Sequence, residues 1–236
     1  DFFSTITISL LLLSIGFSES SPELSRWLWF AGAPLHLLMT LLTINLWFDR
    51  ELKPGNLNPA WFIPVVGTIL VPVVGVGYAP VEISWFFFSV GFLFWLVLFA
   101  LVIHRLIFIK AMPTRLLPTM AIMIAPPAVG FISLVKLTGQ IDSLAMIMFN
   151  FGLFLALLLA SMLGKLRKLS FFLSWWAYTF PLTALTTSLV LMSHKRESEF
   201  FEVLAMTGLA ISTIVILLVL ALTVRALVRH EVCVEE

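Results

Sequence analysis

The chain of 236 residues is 61% hydrophobic and only 11% charged, with a mean hydropathy of +1.08. Soluble domains carry about 25% charged residues, so a water-soluble globular fold is excluded, and a net charge of +1 gives no footing for a nucleic-acid partner. The one cysteine, Cys233, excludes an intrachain disulfide framework and a cysteine-based metal site.

What remains is an all-α integral membrane protein in a single transmembrane domain. A membrane helix needs roughly 20 mostly apolar residues. On that rule the chain offers eight spans, at 2–17, 27–48, 61–78, 83–109, 116–137, 143–163, 171–193 and 200–224. They are too long and too uniformly apolar for barrel strands, and lipid admits no other spanning structure. The chain opens on Asp1 and is apolar from Phe2, with a short first span, as expected of a start in mid-protein.

The first span has no proline but carries Ser4, Thr5, Thr7, Ser9 and Ser14. The second has Pro34 alone and ends at Arg50 and Lys53. The third, NPAWFIPVVGTILVP, carries Pro64 and Pro72; the fourth, with LFWLVLFALVI, carries none and is followed by Arg105, Lys110 and Arg115. The fifth, RLLPTMAIMIAPPAVGF, has Pro118, Pro126 and Pro127; the sixth has none and precedes Lys165, Arg167 and Lys168. In the seventh, WWAYTFPLTALTTS, Pro181 sits in mid-span among Thr179, Thr183, Thr186, Thr187 and Ser188. The eighth lacks proline and ends at Arg225 and Arg229.

Two patterns run through this order. The basic residues after the even spans number ten of the 14, against Arg26, Lys136, Lys195 and Arg196 elsewhere. The positive-inside rule places the ten, and with them both chain ends, in the cytoplasm. The second pattern is proline. Interior proline removes a backbone hydrogen bond and bends the helix, and Pro72, Pro126 and Pro181 fall near the centres of three odd spans. Carbonyls freed there need partners in protein, in Ser/Thr side chains or in a water-filled cavity. The expectation is therefore two rings: odd helices inside, kinked and polar on one face, and even helices outside facing lipid. A close-packed bundle with kinks and no lumen is the alternative.

On the seventh span Trp176, Phe180, Thr183, Ala184 and Thr187 share a face, at offsets of three and four. Trp176, Thr183 and Thr187 of that face, with Thr5, Ser9, Pro72, Pro126, Pro127 and Pro181, are the candidate pore-lining residues. On the residues alone, Phe180 reads as a packing residue, as most of the 22 phenylalanines must. His36, His104, His194 and His230 show no paired ligand spacing, and most read as interfacial or loop residues; no metal or cofactor is expected. HExxH, GxSxG, CxxC and P-loop patterns are absent, which argues against an enzyme. No Asp, Glu, Lys or Arg lies deep in any span, which argues against a proton-coupled carrier.

The three proline-bearing stretches quoted above, in that order, resemble the tellurite-resistance/dicarboxylate transporter family, which includes the plant slow-type anion channels. The resemblance implies five helical hairpins with quasi-fivefold symmetry, the inner helix of each lining a pore, and homotrimers with one pore per protomer. It also implies that Phe180, in WWAYTFP, is the residue that plugs the pore. Ten helices are expected of the family and eight are offered here, so the first hairpin is missing. The activity implied is passive conduction of small anions such as chloride and nitrate across the plasma membrane, a bacterial inner membrane above all. The alternative is a carrier of dicarboxylates, sulfite or tellurite-related oxyanions.

Overall fold

A computed structural model describes residues 3–109, 111–166 and 169–229 of the chain. Asp1, Phe2, Lys110, Arg167, Lys168, His230 and Cys233, used above, lie outside the described residues. Every regular element among those described is helical. In chain order they are α1 (Ser4–Phe17), α2 (Pro22–Asp49), α3 (Phe62–Val66), α4 (Pro72–Gly75), α5 (Val81–Phe108), α6 (Ala125–Thr138), α7 (Ser143–Ser161), the short α8 (Leu163–Leu166), α9 (Thr179–Arg196) and α10 (Glu199–Val228). By length and composition α2, α5, Thr114–Thr138, α7 and α10 are able to cross a membrane, and Ser4–Phe17 and Pro59–Gly75 are shorter apolar helices.

Local chemistry sets the ends. Pro22 occupies the first turn of α2, where its missing N–H costs nothing. Asp142 caps α7 by accepting from Ala145 N at 2.8 Å. Gly139, at φ 76°, closes α6 in the left-handed conformation.

The segments with central prolines are not bent α-helices. Each enters as a 3₁₀ helix and turns α close to its proline. The third segment is 3₁₀ at Pro59–Trp61, α at α3, 3₁₀ again at Gly67–Leu70, then α from Pro72. The fifth is 3₁₀ over Thr114–Ile124 and the seventh over Leu173–Tyr178, ahead of α6 and α9. The physical reason lies in the carbonyl four residues before each proline. In a 3₁₀ turn that carbonyl accepts from residue i+3 instead. Thr68 O thus takes Val71 N at 3.1 Å, and Ile122 O takes Ala125 N. Other carbonyls of the third segment are met by side chains from neighbouring segments: Pro64 O by Thr40 Oγ1 at 2.8 Å, Ile69 O by Ser133 Oγ at 2.6 Å and Val71 O by Trp29 Nε1 at 2.9 Å.

Packing pairs each helix of one set with the next in sequence: α1 with α2, the third segment with α5, α6 with α7, and α9 with α10. One small residue on the outer helix makes each pairing close. A Cβ placed on Gly32 would come 3.2 Å from Leu10 and Leu11, and one on Gly208 3.0 Å from Thr186 Oγ1. Gly91 sits against Thr68 and Ile69, and Gly152 against Ala128. The first members of the pairs also pack on one another, α1 on the third segment, the third on the fifth, and the fifth on the seventh. No comparable packing among the described residues closes α9 back onto α1. Burial follows the same division. The most apolar stretch of Thr114–Thr138 is 78% buried, against 17–33% for α2, α5, α7 and α10.

Candidate functional site

Two adjoining cavities lie between α1 and the third, fifth and seventh segments. The larger, about 630 Å³, runs from Ala60, Leu116 and Leu173 to Leu12, Leu70, Val129 and Phe180. The smaller, about 380 Å³, continues from those last four residues to Ile15, Val73, Ile132 and Thr187, with Ile216 of α10 at its side. The larger therefore extends toward the end of the molecule that carries Arg50, Lys53, Arg105 and Arg115, the basic end. Leu12, Leu70, Val129, Trp176, Thr179 and Phe180 border both cavities, and their join is termed the waist.

Of the residues expected from the sequence, Thr5, Ser9, Pro126, Trp176, Phe180 and Pro181 stand on the wall of the larger cavity. Trp176, Phe180, Thr183, Ala184 and Thr187 stand on the smaller. Pro72 and Pro127 are buried and border neither of the two; their effect is on the helix that carries them. Leu12, Leu70 and Val129 carry no signal that separates them from core residues, and sequence reasoning passed over them.

None of the described residues on either wall is ionisable. The polar side-chain atoms there are mainly hydroxyls, and their protons are already engaged. Ser9 donates to Thr5 O, Thr119 to Leu116 O, Thr179 to Trp176 O, Thr183 to Phe180 O and Thr187 to Thr183 O, at 2.6–2.9 Å. Ser174 donates to Arg115 O, tying the entries of the fifth and seventh segments together. The cavities are thus lined by methyls, rings and oxygen lone pairs, and a hydroxyl must rotate off its carbonyl to meet an anion. Such a rotation forfeits one hydrogen bond, worth about 1 kcal/mol.

His36 is neither interfacial nor in a loop. It is fully buried inside α2, with Nδ1 2.7 Å from Thr7 Oγ1. Thr7 gives its own proton to Ser4 O at 2.9 Å, so the imidazole donates from Nδ1 and holds α1 to α2. Its Nε2 faces Gly67, where a Cβ would come within 2.6 Å. Among the described residues no group of three His, Cys, Asp or Glu side chains is placed to hold a metal ion.

A helical multi-pass membrane protein with a cavity between its inner segments is the class this fold defines. The chain belongs to the SLAC1 family, described as voltage-dependent anion channel, whose profile matches residues 1–224. This is the family that the three quoted stretches resemble. Among curated relatives, the chain is 29% identical to the S-type anion channel SLAH3 of Arabidopsis thaliana over 228 residues, covering 95% of this chain and 36% of the relative. It is 30% identical to the uncharacterized transporter MJ0576 of Methanocaldococcus jannaschii, covering 79% of this chain and 61% of the relative. It is 42% identical to the sulfite efflux pump SSU1 of Trichophyton rubrum, but over 82 residues, 34% of this chain and 21% of the relative. The chain spans 36% to 61% of the length of two plant channels and two archaeal transporters that it matches.

Proposed function

We propose that the full-length protein conducts small inorganic anions passively along the two cavities, and that Phe180 closes the passage at the waist. The observation that carries this reading is the waist itself. Four inner segments bring Leu12, Leu70, Val129 and Phe180 to the join between two cavities with no charge among the described residues of their walls. A wall that binds anions weakly suits fast permeation, because an ion that is held tightly does not leave. Relatives named as S-type anion channels support the reading. A second reading, a carrier or exporter of sulfite or dicarboxylates, is favoured by the match to a sulfite efflux pump. Tight binding of a dicarboxylate calls for two fixed donors or cations, which these walls do not offer.

Currents through the full-length protein in planar bilayers, with chloride, nitrate, malate and sulfite in turn, decide between them. Conduction of chloride and nitrate without saturation at low concentration supports the channel. Saturable, exchange-dependent movement of sulfite or malate alone replaces it with the carrier. The full-length assembly on this reading is a plasma-membrane homotrimer whose protomers each complete a ring with a fifth hairpin, packed between α1 and α9.

Two further outcomes are expected. Thr183→Val and Thr187→Val should each change chloride conductance by no more than about twofold, since both hydroxyl protons are bound to backbone carbonyls. A larger loss makes these hydroxyls direct ligands. In a Cys233→Ser background, a cysteine at Glu199 should react with a membrane-impermeant maleimide from outside the cell, and one at Asn56 from the cytoplasm alone. The reverse pattern inverts the topology inferred from the basic residues.

A further inference from the structure

Among the described residues of the waist, Trp176 is tied by a side-chain hydrogen bond to a helix outside the inner set. Its indole Nε1–H donates to Thr223 Oγ1 of α10 at 3.0 Å. Thr223 in turn donates its own proton to Val219 O at 2.8 Å. With that proton engaged, Thr223 accepts from the indole, which fixes the sense of the contact. The indole needs such a tether. It is 40% exposed, so few packing atoms define its rotamer. It lies four residues before Phe180, borders both cavities, and sits in the 3₁₀ entry Leu173–Tyr178 that packs on α10.

We propose that Thr223 is a positioning residue: it holds the Trp176 indole across the waist and lets α10 set the width of the passage. This rests on reading the cavities as the anion path. The hydrogen bond selects one rotamer of a large ring beside Phe180, so the waist is closed by two aromatic side chains held by different elements. The tether also carries movement inward. Arg225 and Arg229 follow Thr223 by two and six residues, at the basic end of α10. A displacement of that end reaches the Trp176 indole through this contact, beside the packing of the entry on α10.

The test uses the full-length protein in liposomes and reads resting chloride flux. Thr223→Val keeps the shape and removes the acceptor; Thr223→Ser keeps the hydroxyl; Trp176→Phe keeps a ring and removes the N–H. Thr223→Val should raise flux about fivefold, the population shift given by one ordinary hydrogen bond. Thr223→Ser should stay within about twofold of the parent. Trp176→Phe should match Thr223→Val, and the double variant should be no higher than either single one, since both remove the same contact. Multiplying effects in the double variant, or a Thr223→Ser protein as altered as Thr223→Val, overturns the proposal. A second measurement does not depend on Thr223→Val folding. The Trp176 indole proton, identified by its disappearance in Trp176→Phe, should exchange slowly with solvent in the parent and in Thr223→Ser; rapid exchange in the parent also overturns it. Failure of the gate reading is separate: Phe180→Ala without effect, alongside the Thr223 pattern, removes Phe180 as the gate and leaves the tether.

Discussion

Phe180→Ala in the full-length protein is expected to raise anion conductance tenfold or more. The ring stands where the two cavities meet, with the apolar side chains of Leu12, Leu70 and Val129 in the same collar. An ion passing an apolar collar sheds part of its hydration without gaining hydrogen bonds in return, which costs several kcal/mol even when desolvation is partial. Truncation to a methyl opens room for water beside the ion. Each 1.4 kcal/mol recovered is about tenfold in rate, so tenfold asks for a modest share of that cost. Chloride-to-nitrate selectivity should hardly move, because the ring is uncharged and the remaining wall is unchanged. Phe171→Ala is the control: Phe171 packs near Trp175 at 6.0 Å and borders neither cavity, and its loss should leave the current alone. Planar-bilayer recordings check both. An unchanged current from Phe180→Ala protein that assembles normally returns Phe180 to the role of a packing residue.

Much of this arrangement is legible in proline placement, because proline acts on the backbone wherever it stands. Pro72, Pro126 and Pro181 single out three segments, and those segments pack on one another while α2, α5, α7 and α10 lie outside them. The form of the break is not legible. A kinked α-helix and a 3₁₀-to-α junction differ by one step in hydrogen-bond register, and the sequence TRLLPTMAIMI fits both. Tertiary partners decide it: Ser133, Thr40 and Trp29 reach carbonyls of the third segment from other segments of the chain. The same holds for His36, whose partner Thr7 lies 29 residues away on another helix. The engaged hydroxyls are a different case. Serine and threonine in helices commonly bond the carbonyl three or four residues back. That local rule, applied to Thr183 and Thr187, removes them as ready donors on the strength of their helical setting alone. Leu12, Leu70 and Val129 become a collar only when four segments meet at one depth, which no single stretch of sequence encodes.

The largest effect on assembly is expected at Gly91. It lies on the face of α5 that meets the third segment at its 3₁₀ stretch. A Cβ there meets Thr68 Oγ1 and comes 2.6 Å from Ile69 Cγ1 and 3.0 Å from Ile69 N. The last of these is backbone, in a segment pinned on its other side where Ile69 O accepts from Ser133. Rotation of the Thr68 and Ile69 side chains therefore leaves the backbone contact in place, unlike at Gly130, where the obstacle is the flexible end of Met148. Gly91→Val must separate α5 from the third segment or push that segment toward the cavity that Gly67, Ile69 and Leu70 line. Overpacking of this kind costs on the order of 3 kcal/mol, which for a chain of this size lowers Tm by roughly 6–12 °C. Thermal unfolding in detergent should show that fall, and the protein that survives should conduct less, because the displaced segment narrows the larger cavity. Gly16→Ala is the comparison: nothing lies within 4 Å of a Cβ at Gly16, and its Tm and flux should match the parent. Equal melting of the two variants would mean that α5 and the third segment are not in the contact described, and with it would go the pairing of outer helices on inner ones through a single small residue.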